Sequence, residues 1–133
     1  MMQLLHQELT EKIIKAFFEV HHVLGYGFLE KVYKNALFYE LTSYGLKCEK
    51  EKRINVFYKD VITGEYFADI VVENKVILEL KVGDKILPEY EYQLMNYLRA
   101  SEIEVGYVLL FGQKAFYDRK IYTNDKKSFL INK

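Results

Sequence analysis

ADIVVENKVILELKV, residues 68–82, decides how this chain folds. Ala68, Ile70 and Val72 precede a short polar stretch, and Val76, Leu78, Leu80 and Val82 follow it. Apolar residues at every second position mark strands with one face on a core. The segment therefore reads as an antiparallel hairpin, residues 65–72 and 76–82, joined at Glu73, Asn74 and Lys75. Asp69, Glu79 and Lys81 fall on the other parity, so Glu79 and Lys81 share a face. Loop length decides whether Asp69 joins them. A three-residue loop pairs Val72 with Val76 and sets Asp69 opposite Glu79. A two-residue loop would pair Asp69 with Leu80 and turn Glu79 away.

Upstream of the hairpin, Leu9, Ile13, Ala16, Phe17, Val20 and Leu24 recur at three- and four-residue steps, which predicts a helix over 7–24. Gly25 and Gly27 around Tyr26 break it. A second helix is expected over about 29–44, with Gly45 at a left-handed C-terminal cap. Residues 47–58 read as a strand, with a turn flanked by Lys59, Asp60 and Gly64. Downstream, Pro88 opens a third helix to about Ala100, with Tyr90, Leu94, Tyr97 and Leu98 as its apolar stripe. Residues 105–111 are an apolar strand, 116–122 form a last one, and the Lys-rich tail from Asn124 is expected to fray. The order α-α-β-β-β-α-β-β gives an α/β sandwich with a mixed sheet, in one domain spanning 1–133 with its core at about 7–122.

Composition narrows the function classes. The chain has 133 residues, half of them apolar, enough for one domain with a sizeable core. Lys plus Arg and Asp plus Glu balance at 19 each, which argues against a protein that coats nucleic acid by charge alone and leaves room for a local basic groove. The single cysteine, Cys48, excludes an internal disulfide framework and a multi-cysteine zinc site. It reads as a packing residue of a protein in a reducing, cytoplasmic setting. The N-terminus has no basic segment followed by an apolar one, so no signal peptide is expected, and no run approaches the ~18 residues of a membrane span.

Two facing carboxylates repel and hold each other's protons unless a cation lies between them. Mg²⁺ or Mn²⁺ suits such a pair, because hard cations take oxygen ligands and keep several waters. A metal there generates hydroxide and stabilises charge on a phosphate, and Lys81 beside it orients water or offsets that charge. The plain alternative is a ribbon with one wet face, on which Asp69, Glu73, Lys75, Glu79 and Lys81 are solvated charges. Gln93 and Tyr97, four apart on the third helix, are neighbours that can hold water or phosphate, or a surface Gln beside a core Tyr. Glu30, in the first turn of the second helix, is either a further ligand or a partner of the helix dipole. His21 is a candidate metal ligand near the end of the first helix, or a structural histidine.

These residues also carry a resemblance. GFLEKVY at 27–33 is a full G-x-x-E-x-x-Y match through Gly27, Glu30 and Tyr33. EVHHVLGYG at 19–27, the D-x-x-V…E-x-K hairpin at 69–81 and QLMNYL at 93–98 follow in order. The chain resembles the GxxExxY protein family of the PD-(D/E)XK nuclease superfamily over roughly residues 7–122. The resemblance implies a three-layer, restriction-endonuclease-like sandwich with a Mg²⁺ site on the central hairpin. Asp69, Glu79 and the Leu80 carbonyl would be ligands, Lys81 catalytic, Gln93 and Tyr97 supporting, Glu30 the helix carboxylate, and His21 near a metal-binding His of some relatives. The expected activity is Mg²⁺-dependent hydrolysis of phosphodiester bonds, with DNA as partner and a homodimer or partner protein compatible with the neutral charge. The rival is a catalytically silent nuclease-fold module that binds nucleic acid or a protein.

Overall fold

The computed structural model describes residues 5–131. The first four residues, where no signal peptide was expected, and the last two of the Lys-rich tail lie outside that range. Two helices, α1 (Gln7–Leu24) and α2 (Glu30–Ser43), precede strands β1 (Cys48–Tyr58), β2 (Val61–Val72) and β3 (Val76–Val82). Helix α3 (Pro88–Ala100) then leads into β4 (Val105–Phe111) and β5 (Ala115–Ile121). The five strands lie in sequence order. Every neighbouring pair is antiparallel except β3 and β4, which are parallel and joined through α3. The sheet is therefore mixed, as the sequence predicts.

Helices cover both faces. Ile13, Phe17, Tyr33 and Leu37 from α1 and α2 pack on Ile70, Leu78, Leu80 and Leu109. Leu94, Tyr97 and Leu98 from α3 pack on Val71, Ile77 and Val108. All seven residues of β4 are buried, as expected of a strand covered on both sides. Gly106 lets α3 approach it, since a Cβ there would meet Leu94 Cδ1 at 2.6 Å. Cys48 is half-buried against the α1–α2 side of the core. Among the described residues, no helix is long and apolar enough to cross a membrane.

The GYG loop has a mechanical explanation. Gly25 and Gly27 take φ of 69° and 106°, where a side chain is strained. The fully buried Tyr33 donates its hydroxyl to the Gly25 carbonyl at 2.7 Å. That clasp fixes the start of α2, and with it Glu30. At the other end, Gly45 (φ 81°) and Leu46 donate to the Thr42 and Leu41 carbonyls, a Schellman cap.

Two expectations need correction. Strand β2 begins at Val61, four residues before the predicted start, because Tyr58 pairs with Val61 across a two-residue turn. Gly64 is therefore inside the strand, opposite Val56 at a register shift, which is where a strand glycine often marks a bulge. The tail is also less frayed than its lysines suggest. A 3-10 turn (Asn124–Lys126) and a short helix α4 (Ser128–Ile131) follow β5. Between them Lys127 is 1% exposed and donates to the Ser101 and Ile103 carbonyls, both at 2.8 Å.

Candidate functional site

The β2–β3 turn sets the geometry. Glu73 and Asn74 both have positive φ, and Lys75 N–H donates to the Val72 carbonyl. Lys75 is the additional residue that leaves Val72 opposite Val76. The paired ladder then runs only to Ile70 opposite Leu78. Asp69 and Glu79 are one step further on, where the two strands part. In place of the next ladder bond, Asp69 Oδ2 accepts from the Leu80 N–H at 2.8 Å. A side chain has taken over a strand's hydrogen bond, so the gap between the strands is lined by carboxylates without leaving the backbone amide unpaired.

The ladder is broken on the other side of Asp69 as well. Lys50 pairs with Ile70 and Lys52 with Ala68, but Glu51 between them has φ 53°. A non-glycine residue in that region is strained, and such strain gathers at functional sites. Faces change here too: Ile70 belongs to the α1–α2 core and Ala68 to the α3 core. Strict alternation would keep them together. The chain bends at Asp69.

These acids are not solvated. Asp69 is 8% exposed and Glu79 only 2%. The plain alternative of a wet charged face is excluded for these two residues. Burial, followed by the charge of Asp69, pushes the Glu79 carboxyl up to about 9. Its Oε1 is buried without a hydrogen-bond partner. Burial and the charge of Asp69 also raise Glu30, against the pull of Lys81 and Lys34, so the α2 carboxylate lies within electrostatic reach of the hairpin. Lys81 is half-buried, with Nζ 5.1 Å from the centre of the Tyr90 ring. Tyr97 is 4% exposed and accepts from Gln93 Nε2 at 3.0 Å. Burial and then the charge of Glu79 raise its hydroxyl to about 12. Gln93, Tyr97 and Lys81 together line an open cleft of about 540 Å³ on the α3 side.

Two participants escaped the sequence reading. Lys34 Nζ lies 3.0 Å from Asp69 Oδ1 and also meets Glu51 Oε1. Burial works against its charge, but the bonds to Glu51 and Asp69 raise its pKa above the usual lysine value. A signal existed for Lys34: it follows Glu30 by four and so shares its helix face. Glu51, inside the run EKEKR, carried none.

His21 stands apart from this group. Its Nε2 donates to the Gly112 carbonyl at 2.8 Å, tying α1 to the β4–β5 turn. Among the described residues, no three or more His, Cys, Asp or Glu side chains form a ready metal cage. A Mg²⁺-type site needs less: one or two carboxylates with retained waters. The unpartnered Glu79 oxygen beside Asp69 fits such an ion, because a second carboxylate is the one neighbour it cannot satisfy when ionised.

Comparison with known proteins agrees with this fold. The profile of the PD-(D/E)XK nuclease superfamily matches residues 7–121. The solved structure of SSO0001 superposes with a TM-score of 0.55 at 14% identity, over 98% of this chain and 83% of the other. An alkaline exonuclease, LHK-Exo from Laribacter hongkongensis, superposes with a TM-score of 0.51 at 14% identity, over 94% and 73%. At that identity the likeness concerns the fold. No curated protein sequence matches.

Proposed function

Because the chain belongs to the PD-(D/E)XK nuclease superfamily, we propose that it is a metal-dependent nuclease that hydrolyses phosphodiester bonds of DNA. The carrying observation is the buried Asp69–Glu79 pair at the point where β2 and β3 part, with Lys81 two residues along β3. Within the superfamily we place the chain in the GxxExxY family, on Gly27, Glu30 and the clasping Tyr33. The exonuclease name of LHK-Exo supports the reaction class.

Asp69, Glu79 and the Leu80 carbonyl are the proposed ligands of Mg²⁺ or Mn²⁺, with Glu30 on the rim. His21 has its Nε2 committed to Gly112 and is left out of the set. A bound divalent ion would supply a nucleophilic hydroxide and Lewis-acid stabilisation of the phosphate. Glu79 would hold the ion as its carboxylate, releasing its proton on binding, since only the ionised form is a good ligand. Lys81 places its ammonium beside the scissile phosphate and holds the attacking water. Tyr97, its hydroxyl kept protonated, and Gln93 orient that water or a phosphate oxygen.

The test is incubation of the purified chain with linear and circular DNA in Mg²⁺ or Mn²⁺, beside Lys81→Ala. Metal-dependent cleavage should fall by at least about a hundredfold in the variant, the low end for a lost charge-stabilising donor. Equal cleavage by both proteins would mean a contaminant. The rival reading, a silent binding module, draws on the hold of Lys34 on Asp69. Calorimetric titration with Mn²⁺ separates the two: a nuclease gives heat of binding that disappears in Asp69→Ala, and a silent module gives none.

A further inference from the structure

The cleft beside Lys81 does not end at Tyr97. It shares Tyr66 and Asn96 with a second hollow of about 500 Å³, so the two form one trough. One wall is the exposed stripe Tyr92, Asn96, Arg99 of α3, spaced for one helical face. The other is the β1–β2 hairpin, through Phe57 and Tyr66. Tyr122 and Lys126 line the part of the trough beyond Arg99.

Three rings here are open to solvent: Tyr92 at 68%, Phe57 at 52% and Tyr66 at 42%. Cations lie next to flat rings at both ends, Lys81 over Tyr90 at 5.1 Å and Arg99 over Tyr122 at 6.0 Å. The lining has one carboxylate, Glu89 near Lys81, and none in the second hollow among the described residues. Exposed π-faces interleaved with Arg and Lys are what an unpaired strand requires: bases stack on the rings and phosphates meet the cations. A duplex keeps its bases stacked on each other and offers these rings nothing. The few cations along the trough point the same way, since phosphate attraction alone supplies little affinity from so small a number.

We propose that this trough is a binding track for single-stranded DNA leading away from the phosphodiester at Lys81. Along α3 from residue 90 to 99 it spans ~14 Å, room for about four nucleotides at ~3.4 Å per stacked base. The track rests on the nuclease reading only in having Lys81 at its reacting end.

The experiment is fluorescence anisotropy of the full chain with labelled dT12 and with a blunt duplex of equal length, in EDTA at low salt. The single strand should bind at least tenfold more tightly than the duplex. Tyr92→Ala and Arg99→Ala should each weaken dT12 binding about tenfold, whereas Tyr39→Ala, an exposed ring on α2, should leave it unchanged. No measurable dT12 binding, equal affinity for duplex, or unchanged binding by Tyr92→Ala would overturn the track. The failures are distinguishable. A chain that binds dT12 through Tyr92 yet never cleaves keeps the track and loses the nuclease reading. One that cleaves with Tyr92→Ala as fast and tight as wild type keeps the nuclease and loses the track.

Discussion

Glu79 holds its proton up to about 9 because burial and the neighbouring charge of Asp69 both oppose its ionisation. A divalent ion bound there would reverse that balance and displace the proton. Mn²⁺ affinity should therefore climb as pH rises from 6 to 8, by up to about tenfold per unit, the limit for one released proton. Calorimetry in buffers of different ionisation enthalpy would count the proton directly, and pH-independent affinity would contradict the assignment. Lys34 gives a second prediction. Its ammonium is the counter-charge between Asp69 and Glu51, so Lys34→Met should lower the melting temperature without metal by roughly 3–6 °C. Added Mn²⁺ should then raise it by more in the variant than in the wild type, because the ion takes over the task of the lysine. These residues differ in how legible they were. Strand parity put Glu79 and Lys81 on one face and left the place of Asp69 to the loop length, which the pairing of Val72 with Val76 decides. Glu51 did not, because its role arises from a kink that no run of Glu and Lys announces.

Helices and strands with strong periodicity were readable to the residue: α1, β3, α3 and β4 have the bounds expected from their apolar spacing. The misjudged elements are those whose reason lies elsewhere in the chain. Strand β2 starts early because β1 is there to pair with it. Lys127 is buried because the carbonyls after α3 receive its ammonium, and a lysine in a polar tail gives no hint of that. Burial lowers Lys127 to about 8. Between about 8 and the ordinary value of 10.5 the unfolded chain binds the proton that the folded chain has lost. The contribution of Lys127 to stability therefore rises with pH across that window. Urea denaturation from pH 7.5 to 10 should show the rise in wild type relative to Lys127→Met, which lacks it. Parallel curves would show that the buried amine does not titrate there.

For the whole molecule, the alternation α, sheet, α was visible in the element order, whereas the trough along α3 was not. Tyr66, Tyr92 and Tyr122 are far apart in sequence, and only the packing of α3 against both the β1 side and the β5 side of the sheet brings them together. The few cations that line the trough, Lys81, Arg99 and Lys126 among them, predict a shallow salt dependence. The slope of log K against log salt for DNA should be roughly −1 to −3, not the steep values of proteins that neutralise many phosphates. A slope near −8, measured by anisotropy, would require a basic surface beyond the trough.

The additional residue in the β2–β3 turn has a consequence for heredity. Removing Lys75 would slide β2 past β3 by one position and carry Asp69 away from its partner, while both apolar faces sought new neighbours. A single lost codon is thus the shortest route by which descendants of this gene keep a recognisable sandwich and lose the facing pair of carboxylates.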